Sequence, residues 1–167
     1  MELEPNLTGE IRAYLQSAKR EVGLRATPRF VFAFSYIPAP AGKLAGLVVS
    51  GDKRATCSLA LIYDRDVVEE LRSGDISVVV DDKNRPRAAI RTLEARRTPF
   101  GDVGADFAFQ EGEGDRSPES WRVHHRQFFG RVTAELSLAF GENMGVVCER
   151  FEAPFPTSPT PGPPAVR

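Results

Sequence analysis

Apolar positions fall into short runs with two different periods, and the breaks between them outline the domain. Thr8 offers an N-cap, and Ile11, Leu15, Ala18 and Val22 follow at helical spacing until Gly23 offers a stop, which predicts an amphipathic helix at the start of the chain. After Pro28, residues 30–34 alternate aromatic with small or branched side chains and read as a strand closed off by Pro38 and Pro40. Leu44, Leu47 and Val48 then repeat at spacings of three and four, which predicts a short helix over 42–50 ended by Gly51. A strand is expected from Ala55 through an apolar stretch ending near Tyr63, with a brief helical turn over 67–71.

Residues 76–80 are β-branched and strand-like, 81–85 make a turn, and 88–97 pair back as the second arm of a hairpin. Ser117, Pro118 and Glu119 carry a helix start, because proline suits the first helical position and an acid suits the positive helix terminus. That helix is expected to run to about Leu136, with Trp121, His125, Phe128, Val132 and Leu136 on one stripe that Phe129 widens. Residues 146–151 read as a closing strand. Six prolines between Ala153 and Arg167, with little to bury, predict a disordered or polyproline-like tail. Several short strands with few helices suggest an α+β barrel: a helical extension over 1–27 packed on a domain over 28–153, and a tail over 154–167.

Composition narrows the class. The chain has 167 residues, enough to bury a core without disulfides or metal, and its 41% hydrophobic and 27% charged content is ordinary for a globular domain. The acidic start and the lack of an apolar run near the ~20 residues of a membrane helix lead us to expect a cytoplasmic protein without membrane contact. Cys57 and Cys148 show no paired spacing and are expected as free thiols, with no metal and no cofactor. A net charge of −1 argues against binding duplex DNA through many phosphates. Arg85, Arg87, Arg91, Arg96 and Arg97 could still build a limited positive face, or simply solvate a strand.

Two stretches carry candidate chemistry. Residues 51–58 concentrate Lys53, Arg54, Thr56 and Ser58 at a turn between regular elements, where sites usually sit. Residues 111–117 hold Glu111, Glu113 and Asp115 between glycines just before a helix, and clustered acids can raise one another's pKa. Trp121 reads as core or as a platform for stacking a base, and His125 as core or cleft wall. His124 is expected to point elsewhere, which makes the adjacent histidines a poor metal site. Arg91 could meet a phosphate or carboxylate, or form a strand ion pair.

In order and spacing these stretches, with 107–115, the turn 99–103 and the closing Glu149, Arg150 and Phe151, resemble the ASCH family over roughly residues 30–152. The resemblance implies a PUA-like mixed β-barrel with flanking α-helices. It also implies a cleft acting on a nucleoside or single-stranded RNA; a monomer or weak homodimer is expected. Some members of that family remove an acyl group from the exocyclic amine of cytidine with a lysine, a threonine three residues later and a glutamate, positions matched by Lys53, Thr56 and Glu111. On that pattern Lys53 would lose its proton in a desolvated cleft and activate Thr56, with Glu111 assisting and Arg54 or a backbone N–H at the oxyanion. Arg54, Ser58, Arg91, Glu113, Asp115, Trp121 and His125 are the expected substrate contacts. Arg54 stands where many relatives carry threonine after the lysine. An RNA-binding module, or a ribonuclease using Lys53 and Glu111 as base and acid, are the other expectations for the same cleft.

Overall fold

The computed structural model describes residues 7–34, 38–66 and 69–156. Helix α1 (Gly9–Val22) is capped as its sequence predicts: the Thr8 side chain accepts the Ile11 N–H at 3.3 Å, and Gly23 ends the helix at φ 69°. Its apolar stripe lies on one face of the sheet, Ile11 and Leu15 against Val78 and Val80, Ala18 beside Ile76, Ala89 and Phe155.

Strand β1 (Phe30–Phe32) leads to helix α2 (Pro38–Ser50), which starts four residues before its predicted beginning at 42. Proline, expected there only to stop the strand, is tolerated in a first helical turn, whose N–H groups have no intrahelical partner. Strand β2 (Ala55–Leu59) is shorter than predicted, and its apolar continuation is helix α3 (Ala60–Asp66). The reason is the ladder: the register ends at Leu59 opposite Val146, and only Gly145 of the partner strand remains beyond it. Of the predicted turn over 67–71, residues 67 and 68 lie outside the described residues and 69–71 carry no helix.

Strand β3 (Ile76–Val80) is buried along its whole length, and β4 (Pro86–Pro99) pairs back on it antiparallel. Asp81 closes the intervening turn, one carboxylate oxygen accepting the N–H groups of Lys83 at 2.9 Å and Arg85 at 3.0 Å. Helix α4 (Ala105–Glu111) was not expected. Its seven residues are too few to show a period, although Phe107, Ala108 and Glu111 share its buried side. Helix α5 (Pro118–Glu135) begins where predicted, the Ser117 hydroxyl accepting the Ser120 N–H at 3.1 Å. Strand β5 (Gly145–Phe155) outruns its predicted end by four residues, because Phe155 packs edge-on against Tyr14 of α1 with ring centroids 5.0 Å apart. Residues 154 and 155, expected at the start of the tail, are therefore strand, and the rest of the tail from 157 lies outside the described residues.

The five strands form one curled half-barrel in the order β1-β3-β4-β5-β2, with β1 parallel to β3 and the other pairs antiparallel. Two register shifts along β4 and β5 add the local bend that curls it. One face packs on α4 and α5 through Phe100, Phe107, Trp121 and Phe129, the other on α2 through Phe34, Val48, Ile90 and Phe151. Directly opposed residues of β2 and β5 share a face. Cys57 and Cys148, both buried free thiols, thus meet in the α5 core, while Thr56 and Glu149 meet on the other side. Among the described residues no helix is long and apolar enough to cross a membrane.

Candidate functional site

The turn from α2 into β2 is fixed by backbone before any side chain acts. Lys53 N–H donates to Leu47 O at 2.9 Å, Arg54 N–H to Gln110 O at 2.8 Å, and Phe151 N–H to Arg54 O at 2.9 Å. Gly112 ends α4 at φ 70° and presses against this turn so closely that a β-carbon there would lie 2.2 Å from the Asp52 carbonyl oxygen. The glycine of the acidic stretch is thus a requirement of close approach. It seats the end of α4 on the turn that carries Lys53.

Lys53 is fully enclosed. Its ammonium donates to Glu111 Oε2 at 3.0 Å, to Glu113 Oε1 at 2.7 Å and to the Glu111 carbonyl at 3.3 Å, and lies 5.0 Å from the centre of the Phe34 ring. Burial alone would favour loss of its proton. The facing carboxylates outweigh that and hold the ammonium above the ordinary lysine range. The expectation that Lys53 rests as a free base is therefore corrected: it is a cation held by two carboxylates and a backbone carbonyl.

Glu111 is its counterpart. Burial pushes this carboxyl up, but Lys53 and then His125 hold it well below the usual carboxylate range. The sequence-based expectation that clustered acids raise one another fails here because cations reach Glu111 first. Its second oxygen has no hydrogen-bond partner among the described residues, and His125 Nε2 is 3.4 Å away. The other ring nitrogen, Nδ1, sits 3.0 Å from the Trp121 carbonyl and donates to it, while the indole of Trp121 stacks on the imidazole at 4.2 Å. Burial opposes a charge on His125, yet Glu111 raises it above the ordinary histidine value. Of the two readings of Trp121, core or base platform, the structure shows the core one: it is buried and positions His125 from behind.

One cavity opens on this cluster, and a second adjoins the first. The smaller, about 110 Å³, is lined by Phe34, Thr56, Glu111, Glu113 and both histidines; the larger, about 350 Å³, by Phe30, Phe34, Thr56, Ser58, Tyr63 and Glu149. Phe34, Thr56 and Cys57 line both and form the wall between them. His124, expected to diverge from His125, shares the smaller cavity with it, since a step of about 100° along a helix leaves neighbours at the edges of one cleft. Ser58 lies beside the Tyr63 hydroxyl at 3.4 Å.

Besides Trp121, three predicted contacts stand away from both cavities. Arg54 is exposed and donates to Gly51 O at 2.8 Å; Asp115 caps α5 by accepting the Ser117 N–H at 2.9 Å; Arg91 pairs with Glu152 at 2.6 Å on the exposed strand surface. Arg85 and Arg87 are held by Asp81, and Arg97 by Asp64 and Glu70, so four of the five arginines of the predicted positive face already have carboxylate partners. No group of three or more His, Cys, Asp or Glu among the described residues is placed to hold a metal ion.

Glu149 escaped the sequence reading. It is 3% exposed and accepts the Thr92 hydroxyl at 2.7 Å, and its burial, slightly opposed by that bond, pushes the carboxyl up to about 7. The available signal was alternation, since Val147, Glu149 and Phe151 share one strand face and a lone acid between two apolar residues marks a buried carboxyl. In the unfolded chain Glu149 titrates near the ordinary value, so folding raises its pKa and its contribution to stability is lost as pH rises toward 7. Glu149→Gln, which keeps an acceptor for Thr92, is expected to match the parent near pH 4 and to exceed it by about 2–3 kcal/mol at pH 8. Urea unfolding at the two pH values measures the difference, and a gap independent of pH would assign Glu149 no such linkage.

The curled half-barrel with its helix-backed cleft places the protein among PUA-like α+β folds. A family model described as the ASCH domain matches residues 31–153, and the chain belongs to that family. It is similar to the ASCH domain from Lactobacillus crispatus JV V101, at 33% identity and TM-score 0.77 over 87% of this chain and 91% of the other. It is similar also to protein EF3133 from Enterococcus faecalis V583, at 29% identity and TM-score 0.77 over 86% and 87% of the two chains. No curated protein matches it.

Proposed function

We propose that the protein is a small amidohydrolase that removes an acyl group from the exocyclic amine of a cytidine-type nucleoside. The observation that carries this reading is the enclosed cluster of Lys53, Glu111, Glu113 and His125 beside Thr56, the hydroxyl on the wall between the two cavities. The paired arginines of β4 favour a small substrate over an RNA track, which needs cations free for phosphate.

In this reading the Thr56 oxygen attacks the amide carbon, and its proton passes to the Lys53–Glu113 pair, Lys53 staying cationic while the half-buried Glu113 carboxylate takes the proton. The Lys53 and His125 cations stabilise the oxyanion. The carbon–nitrogen bond then breaks, the proton returns to the departing exocyclic amine, and the acyl group remains on Thr56. Water hydrolyses that ester, restoring the hydroxyl and releasing a carboxylic acid.

The test is chromatographic detection of cytidine released from acylated cytidine by the purified chain and by Thr56→Ala. Release by the parent and a loss of about a thousandfold or more in the variant are expected. No release from any of several acyl cytidines by folded protein would remove the reading.

A further inference from the structure

The larger cavity has a chemistry that the proposed reaction leaves unused. Its walls are largely apolar, with Phe30, Phe34, Leu71 and Tyr63 around about 350 Å³, a size that takes a planar ring with room beside it. Into these walls is set one enclosed acid, Glu149, held from β4 by Thr92, itself 1% exposed. The β2–β5 register puts Glu149 directly opposite Thr56, so the two side chains leave the same face of the sheet about 5 Å apart at their β-carbons. The distance from the acyl carbon of an acylated cytosine to the nearer ring nitrogen is comparably short.

We infer that the larger cavity is the base pocket, and that the Glu149 carboxyl, in its protonated form, recognises the aminopyrimidine edge by donating to the ring nitrogen and accepting from the exocyclic amine. This inference rests on the nucleoside reading above and assigns the specificity of that site. A neutral carboxyl carries both a donor and an acceptor, as that edge requires. An ionised one offers only acceptors and opposes the lone pair of the ring nitrogen. The raised pKa of Glu149, caused chiefly by burial, keeps the matching form present up to neutrality.

The titratable groups around Glu149 are Asp75 ahead of β3, Tyr63 on α3 and Cys57 on β2, with Glu111, Glu113, His124 and His125 beyond Thr56. Because His125 also titrates upward of its ordinary value, the test must separate the two.

Calorimetric titration of cytidine into the full chain between about pH 5.5 and about pH 8.5 does so. The dissociation constant is expected to rise about tenfold or more across the upper half of that range as Glu149 ionises. In Glu149→Gln, whose amide presents a donor and an acceptor at every pH, the affinity should stay flat. On the unaltered protein uridine, whose ring nitrogen carries a hydrogen, should show no such loss, which tests the inference without the variant. A constant affinity in the parent, a loss that persists in Glu149→Gln, or no cytidine binding would overturn it. Turnover of acyl cytidine without the pH response would remove Glu149 from base recognition and leave the proposed function; the pH response without turnover would do the reverse.

Discussion

Lys53→Ala is expected to lower kcat/KM for an acylated cytidine by about three orders of magnitude or more, and to destabilise the fold as well. The second effect follows from enclosure. With the lysine gone, Glu111 faces only His125 across 3.4 Å, its Oε2 loses the ammonium donor, and a carboxylate with 1% exposure is left short of charge compensation. Removing one partner of a buried pair costs about 3–5 kcal/mol. The remaining carboxyl should answer by taking up a proton. Two consequences separate the roles: Lys53→Met combined with Glu111→Gln should recover most of the lost stability, and it should recover none of the turnover. Chemical unfolding beside the cytidine-release assay reads both. A double variant that regains activity would remove Lys53 and Glu111 from the chemistry.

Gly112→Ala is the second large effect, and it acts through backbone. The added methyl would lie 2.2 Å from Asp52 O and 2.7 Å from the carbonyl carbon, atoms that cannot rotate away, at a φ of 70° that side chains rarely adopt. We expect a loss of about 3 kcal/mol or more, read as a lower urea midpoint, together with reduced turnover because α4 and the Lys53 turn must move apart. Gly23→Ala is the control. It has a nearly equal φ of 69° but nothing within 4 Å of the new carbon, so it should cost only about 1 kcal/mol. Equal losses in the two variants would show that backbone strain, rather than contact with Asp52, sets the cost.

The contrast between these glycines shows what could be read from the chain. Gly23 announced itself as a helix stop because the stripe of α1 ends there, and the capped starts of α1 and α5 were legible for the same reason: local residues decide them. The end of β2 was not legible, since Leu59 stops being strand only because its partner runs out. At the site, the residue types and spacing of Lys53, Thr56 and Glu111 stood out, but their protonation did not. Whether a lysine rests as base or cation depends on which carboxylates the fold brings to it, and Glu113 arrives through the turn after Gly112. Arg91 and Asp115 drew attention as charged residues near the motifs, and only the partners Glu152 and Ser117 show that their capacity is already taken. Glu149 lay in a stretch read as a closing strand and as part of the family pattern, with no role at the site.

The enclosed charges of Lys53, Glu111 and His125 also bear on how sturdy the domain can become. Apolar side chains of similar bulk in the same space would dispense with desolvating several ions, and such exchanges often leave a protein equally or more stable. This corner is therefore locally frustrated, a place where the sequence forgoes thermal robustness that its neighbours could supply. Selection for heat tolerance alone, with no demand for turnover, should erode these positions first and leave the glycine contact behind them untouched.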